Sequence, residues 1–364
     1  MSIKIKVYLS DDGFGHLVRQ ESVIKRLLQL NPDLDITIQN KNKIDVAKQK
    51  FGDTVKYIER FNNIETLKLV TGYLDVEGTR TFFENYSENS RKFIELENKE
   101  FDYDMVISDT VAEAHEVARI NNVPSFTTFH FEWSWFCDKT FPDLTKTSDL
   151  MKKYYQSATK IYMPPFTPAE IEEKYQANSM HVPFIINSFE DIELPKTNKI
   201  NVLIMDNGTS TLSELIIRNF SAFSSLKQCH FFIPKNLAKN DGPNITRIEG
   251  LKNIHSHIPK VDVIIARAGY NTITESLITK VPLLLVNEGN NPEVKHNIDS
   301  VCGSGLGGSM TVDEYRENFS EVFEDFILNK YSTVKQNLNS ANFISNGALV
   351  VAKDILKEYE EWQK

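Results

Sequence analysis

Short apolar runs alternate along this chain with polar, glycine-containing turns and with stretches of helical spacing. Residues 3–9 predict a strand that ends in Ser10-Asp11-Asp12-Gly13-Phe14-Gly15-His16. Val18, Ser22, Ile24, Leu27, Leu28 and Leu30 then recur at helical intervals, Asn31-Pro32 stops the helix, and residues 34–38 predict the next strand. Strand, Gly-rich turn, helix, strand is a βαβ unit. Its Gly-rich turn lies at a strand's carboxyl end, where open α/β sheets place their ligands. The pattern recurs with a strand at 105–108 ending at Asp109, a helix over 111–121 and strands over 124–129 and 160–163.

Residues 193–199 are polar and contain Pro195, so they read as a linker. After them the pattern restarts. A strand over 200–205 runs into Asp206-Asn207-Gly208-Thr209-Ser210, and a helix follows through Leu212, Leu215, Ile216 and Ile217. Strands are expected at 229–233 and 261–265, a helix from near Thr272, and a strand over 281–286. The expected fold is therefore α/β, with two Rossmann-like, doubly wound domains over 1–195 and 198–348. The amphipathic helix of 347–362 is expected to pack back, over about 350–364, on the first domain.

Composition narrows the function classes. Forty-one Lys and Arg against 50 Asp and Glu leave a net charge of -9 in 364 residues, which argues against a protein held to nucleic acid by its overall charge. Cys137, Cys229 and Cys302 are too few and too scattered for a disulfide framework or a zinc site, so a reducing compartment is expected. The first ten residues lack the apolar core of a signal peptide, and no apolar run approaches the roughly 18–20 residues that span a bilayer. The expectation is a cytoplasmic protein without a transmembrane segment.

Candidate chemistry gathers at the predicted strand ends. Arg267-Ala268-Gly269-Tyr270-Asn271-Thr272-Ile273-Thr274-Glu275 joins a buried strand to a helix N-terminus. Glycine allows close approach, and first-turn N–H groups with the helix dipole favour phosphate. Glu275 can accept hydrogen bonds from two ribose hydroxyls. The alternative is a plain helix start, with Asn271 or Thr272 as cap and Glu275 completing a capping box. Asn207, Gly208 and Thr209 can also offer backbone N–H groups to phosphate, and Glu293 and Asn297 can read sugar hydroxyls.

In the first half, His16 suits proton transfer or, protonated, pairing with a diphosphate. Asp109 reads either as a site carboxylate or as a helix cap. His130, Glu132, Trp133 and Trp135 read either as an acceptor surface or as core. Asp102-Tyr103-Asp104 is expected to be a solvated strand start rather than a metal motif, and Lys41, Lys43, Lys48 and Lys50 a solvated segment.

The run from Asp262 to Glu275, then Lys280 to Val286, Glu293, Asn297 and Gly303-Ser304-Gly305-Leu306-Gly307, resembles the C-terminal domain of GT-B glycosyltransferases. It is most similar to the family of the bacterial peptidoglycan N-acetylglucosaminyltransferase, glycosyltransferase family 28. Gly13-Phe14-Gly15-His16 with Arg19, Ile107-Ser108-Asp109 and Phe129 to Trp135 resemble the glycosyltransferase-like domain of L-arabinokinases. The resemblance implies two domains facing across a cleft, and a nucleoside diphosphate-sugar, commonly of uridine, as co-substrate with no other cofactor and no metal. It also implies donor contacts at Gly13, Gly15, Asn207, Gly208, Thr209, Arg267, Gly269, Tyr270, Asn271, Thr272, Glu275, Glu293 and Asn297, with the nucleobase near Leu251. His16, Asp109, Asp11 and Asp12 are the candidate bases, and His130, Glu132, Trp133 and Trp135 the candidate acceptor contacts. The expected reaction is inverting transfer of a sugar to an acceptor hydroxyl.

The chain departs from the family at two points. Asp11 and Asp12 stand where relatives carry glycine or histidine, and the loop at 207–210 has one glycine. The acceptor stays open among small molecule, glycan, lipid and DNA. Three alternatives accompany the reading: transfer to a hydroxymethylated base of phage DNA, hydrolysis of a nucleotide-sugar, and non-catalytic nucleotide-sugar binding.

Overall fold

In the computed structural model the described residues are 2–364 except 63, 70–72, 196, 206–209, 239 and 250–253. Of the helix Ser210–Ser225, the side chains of 210–215, 217 and 218 are also outside the description. Two parallel sheets organise the chain. The first contains β1 (Lys4–Leu9), β2 (Asp35–Gln39), β3 (Lys56–Ile58), β4 (Met105–Asp109), β5 (Ser125–Thr128), β6 (Lys160–Met163) and β7 (Ser179–His181). The second contains β8 (Ile200–Met205), β9 (Cys229–Pro234), β10 (Ile245–Ile248), β11 (Val263–Arg267), β12 (Leu283–Asn287) and β13 (Gly307–Thr311). The strand orders are β3-β2-β1-β4-β5-β6-β7 and β10-β9-β8-β11-β12-β13. Each order reverses once, between β1 and β4 and between β8 and β11. At such a reversal neighbouring loops diverge and leave a crevice at the carboxyl ends of the strands.

The sheets seed two compact units. One comprises Met1–Leu67, Asp75–Asn187 and Ile344–Lys364; the other comprises Lys68–Leu74 and Ser188–Phe343. In the first unit one face of β1 (Ile5, Val7, Leu9) packs with Leu17, Ile24 and Leu27 of the helix Gly15–Leu30 and with Val351, Ala352 and Ile355 of the helix Gly347–Trp362. The other face of β1 is buried as well. Lys6 is 2% exposed beside Glu97, which accepts a 2.7 Å hydrogen bond from Tyr8. Lys6 within β1 therefore belongs to a buried polar network, whereas Lys4 at the strand's start is partly exposed and pairs with Asp102.

Several boundaries move relative to expectation. The first helix begins at Gly15, which puts His16 in its first turn. β11 starts and ends two residues later than expected because Asp262 lies before it, where its carboxylate accepts the Asn201 N–H at 2.9 Å. The helix after β11 accordingly starts at Tyr270 rather than near Thr272. Between 40 and 100 the chain carries helices Ile44–Phe51, Val76–Glu84 and Tyr86–Glu100. The lysine run is only partly solvated: Lys50 reaches the buried Glu21 at 2.7 Å, and Lys43 lies over the Phe14 ring. Asp102 and Asp104 do start a strand region, binding the Lys4 ammonium and the Lys4 N–H.

Candidate active site

Register brings the first cluster together. β1 and β4 pair in parallel with Leu9 opposite Asp109, and the Ser10 N–H donates to the Asp109 carbonyl at 3.1 Å. One turn beyond β1, Nδ1 of His16 lies 2.7 Å from Oδ1 of Asp109. Both groups are buried. Arg19, from the same helix face as His16, donates Nη2 to Oδ1 at 2.5 Å and Nε to Oδ2 at 2.9 Å. Gln20 donates Nε2 to Oδ2 at 3.0 Å. Asp109 thus caps no helix. The following helix, Glu113–Ile120, has Ala112 at its N-cap.

Electrostatics assign the protons. Burial by itself would raise the Asp109 carboxyl, but the Arg19 charge and the His16 hydrogen bond outweigh it and hold it below the usual carboxylate range. An ionised carboxylate only accepts, so Nδ1 of His16 carries the proton and donates it. Nε2 is then the basic nitrogen, and it has no hydrogen-bond partner among the described residues. Arg19 also places Nη1 3.2 Å from Nδ1 of His130. Arginine has no acceptor, so in this contact the His130 nitrogen accepts.

Thr110 follows Asp109 with φ of 61°, a left-handed conformation that is strained for a β-branched residue. Its carbonyl is held by the Tyr155 hydroxyl at 2.7 Å, and its own hydroxyl donates to the Asp109 carbonyl at 2.8 Å. Neither Tyr155 nor Thr110 stood out in the sequence, because a strained φ and a contact across 45 residues leave no local signal.

Other candidates in this unit make structural contacts. Asp11 is fully buried, and its carboxylate accepts the N–H groups of Lys41 (2.8 Å), Asn42 (3.0 Å) and Asn62 (2.6 Å). It clamps two loops and is not placed to take a proton from an acceptor. Oδ1 of Asp12 accepts the Thr66 N–H at 2.9 Å and the Thr66 hydroxyl at 2.6 Å. Gly13 takes φ of 45°, which glycine allows at little cost, and Gly15 opens the helix.

Glu132 is the N-cap of the helix Trp133–Thr140. It accepts from the N–H groups of Ser134 and Trp135 and pairs with Lys174 at 2.9 Å. Trp133 is wedged among Phe83, Phe131 and Phe136, and Trp135 is buried with its indole N–H toward Glu170 at 3.4 Å. The acceptor assignment of Glu132, Trp133 and Trp135 therefore gives way to cap and core. Of that set, His130 touches the His16–Asp109 cluster, through Arg19.

In the second unit, β11 ends at Arg267 and Gly269 is the N-cap of the helix Tyr270–Thr279. Glycine has no side chain to satisfy the first-turn N–H groups, so the capping-box alternative is not realised here. Thr272 and Glu275 lie inside the helix and are buried. Asn297, on the helix Pro292–Gly303, donates Nδ2 to the Ala268 carbonyl at 3.0 Å, and its buried Oδ1 has no partner among the described residues. Asn297 braces the turn before Gly269, so its amide N–H group faces backbone rather than a sugar.

The N-cap of that helix is Asn291, whose Oδ1 accepts the N–H groups of Glu293 and Val294; Glu293 stands in the first turn. Arg267 forms an ion pair with Glu288, which also meets Lys68. Glu288 was missed in the sequence, where it reads as an ordinary loop residue. Segment Lys68–Leu74 holds the same loop: the Asn290 side chain exchanges two 3.0 Å hydrogen bonds with the Leu74 main chain. Asn207, Gly208, Thr209 and Leu251 lie outside the described residues. Among the described residues no group of three His, Cys, Asp or Glu is placed to hold a metal ion, and no helix is long and apolar enough to cross a membrane.

The chain is similar to known proteins in sequence and in fold. Residues 225–353 match the model of the glycosyltransferase family 28 C-terminal domain. The chain is 27% identical over 127 residues to the UDP-N-acetylglucosamine--N-acetylmuramyl-(pentapeptide) pyrophosphoryl-undecaprenol N-acetylglucosamine transferase of Prochlorococcus marinus (strain MIT 9515). That match covers 35% of this chain and spans 34% of the relative's length. The fold is similar over nearly the whole chain to the calicheamicin glycosyltransferase CalG4, with a TM-score of 0.67, 15% identity, and coverage of 100% of this chain and 98% of that one. It is also similar to LpCGTa, solved in complex with UDP, with a TM-score of 0.66, 13% identity and coverage of 99% of both chains. Two parallel-sheet α/β domains with these neighbours make the fold that of the GT-B glycosyltransferases. The likeness of the first half to L-arabinokinases rests on its motifs alone.

Proposed function

We propose, for a chain whose residues 225–353 match the family 28 C-terminal domain within a GT-B fold, that it is a glycosyltransferase moving a sugar from a nucleoside diphosphate-sugar to an acceptor hydroxyl. The observation that carries this reading is the buried Asp109–His16 pair at the strand-order reversal of the first sheet, with Nε2 as its basic nitrogen. A base must lie within reach of the proton it removes and be held in the correct tautomer, and Asp109 supplies that orientation. His16 takes the acceptor proton, and the oxygen displaces the diphosphate in a single step that inverts the anomeric centre.

The donor is assigned to the second unit. The helix N-terminus at Gly269 meets the diphosphate with backbone N–H groups and the positive end of its dipole. Glu275 and Glu293 read hydroxyls of the donor. The departing charge is met without a metal. A uridine diphosphate donor is favoured by LpCGTa, solved with UDP, and by the Prochlorococcus relative named for a UDP-sugar. The site leaves the acceptor class open.

The test is release of nucleoside diphosphate from a panel of UDP-sugars, with and without candidate acceptors. Acceptor-dependent release is expected, and His16→Ala should lower turnover by about 10²–10⁴-fold, the usual worth of a general base. Fast release without an acceptor would make the protein a hydrolase. Undiminished turnover in His16→Ala would overturn the assigned base.

A further inference from the structure

Asp109 is an unusual partner for a histidine because it is shared. Oδ1 receives both His16 Nδ1 and Arg19 Nη2, while Oδ2 receives Arg19 Nε and Gln20 Nε2. Arg19 Nη2 also lies 3.4 Å from His16 Nδ1. Both are donors when Asp109 is ionised, so this approach is a repulsion that grows when the imidazole becomes an imidazolium. Among the described residues, the charged and titratable groups in contact with the pair include Arg19 from the same helix and Asp109 from β4, with His130 from the loop after β5 meeting Arg19. Gln20 and Thr110 add neutral contacts, and the Phe131 ring packs on the imidazole.

We propose that Arg19 is a positioning residue that sets the basicity of His16: its fork fixes the Asp109 carboxylate, and its charge disfavours the protonated imidazole. The inference rests on the transferase reading only in its kinetic part. In an ordinary carboxylate–histidine pair, the whole negative charge stabilises the imidazolium. Here part of that charge answers Arg19, and a second cation stands against the ring. The two bonds of the fork add a geometric role that a point charge lacks.

Two variants and two readouts test this. In Arg19→Gln the His16 ring, followed by NMR of labelled imidazole, should titrate about one pH unit or more higher than in the parent, because a repelling cation is gone and the carboxylate is undivided. The acid limb of the kcat/KM profile should move up with it. Arg19→Lys keeps the charge and loses the fork, so its His16 titration should stay near the parent value while kcat falls. An unmoved titration in Arg19→Gln, or a Lys variant that shifts as far as the Gln variant, overturns the proposal. Should Arg19→Gln not fold, the lysine variant decides alone: a displaced titration or an unchanged kcat overturns it. The NMR arm needs no turnover, so a shifted imidazole in a protein without transferase activity would fault the function and leave the inference standing.

Discussion

His115 shows how a single buried side chain can set the acid limit of stability. It is fully buried, its Nδ1 lies 3.0 Å from the Ser125 hydroxyl, and burial pushes its pKa down to about 3. In the unfolded chain an imidazole titrates near 6.5. The folded pKa is the lower one, so the stabilisation is complete above pH 6.5 and is lost as pH falls from 6.5 toward 3. At pH 5 this amounts to about 2 kcal/mol, from 1.36 kcal/mol per pH unit. Urea midpoints measured between pH 7 and 5 should fall steeply in the parent and less steeply in His115→Gln. Asp11 poses the complementary case. Asp11→Ala leaves three backbone donors without their acceptor and should cost ~3 kcal/mol. Equilibrium denaturation would show that loss. At this scale residue type alone was a poor guide, because a carboxylate beside a glycine turn serves equally as base or as clamp.

Among the elements, the C-terminal helix depends most on a single position. Gly347 opens the helix Gly347–Trp362, and its N–H donates to the Phe184 carbonyl at 3.1 Å. A Cβ there would sit 2.0 Å from the Pro183 carbonyl oxygen and 2.8 Å from that of Phe184. Both are backbone atoms and cannot rotate away. Gly347→Ala should therefore lift the helix off the β1 face and cost about 1–3 kcal/mol, the usual range for overpacking. Calorimetry of the variant would test this. The helix Trp133–Thr140 gives the second element-scale test. Trp133→Ala should cost about 3–5 kcal/mol in stability with little change in the KM for an acceptor, since the ring fills a core. A selective rise in acceptor KM in a fully stable variant would restore the acceptor role.

At the scale of the whole molecule, the chain begins and ends in the first unit, and the second unit gathers residues 188–343 together with Lys68–Leu74. A ligand that binds only the folded protein stabilises it by about 2.7 kcal/mol at 100 times its dissociation constant. A UDP-sugar should therefore raise the midpoint of thermal unfolding. His16→Ala should keep that shift while losing turnover, because His16 belongs to the first unit and the proposed donor grip to the second. Loss of both together would assign His16 to donor binding.

What the amino-acid order determined by itself was the alternation of strands and helices, the restart after the polar linker and the glycine turns at strand ends. These are local properties: hydrophobic period, turn chemistry and helix stops act within a few residues. The helix starts at Gly15 and Tyr270 were off by a few residues, since a helix without a side-chain cap carries a weak start signal. Only the tertiary structure decided which polar residues meet. His16 and Asp109 are 93 residues apart, and the β1–β4 register makes them partners. The same packing turned Asp11 into a loop clamp, Glu132 into a cap and Trp133 into core, and it paired Arg267 with Glu288. A side chain's role follows from the groups that surround it, and those are set by register and packing rather than by neighbours in sequence.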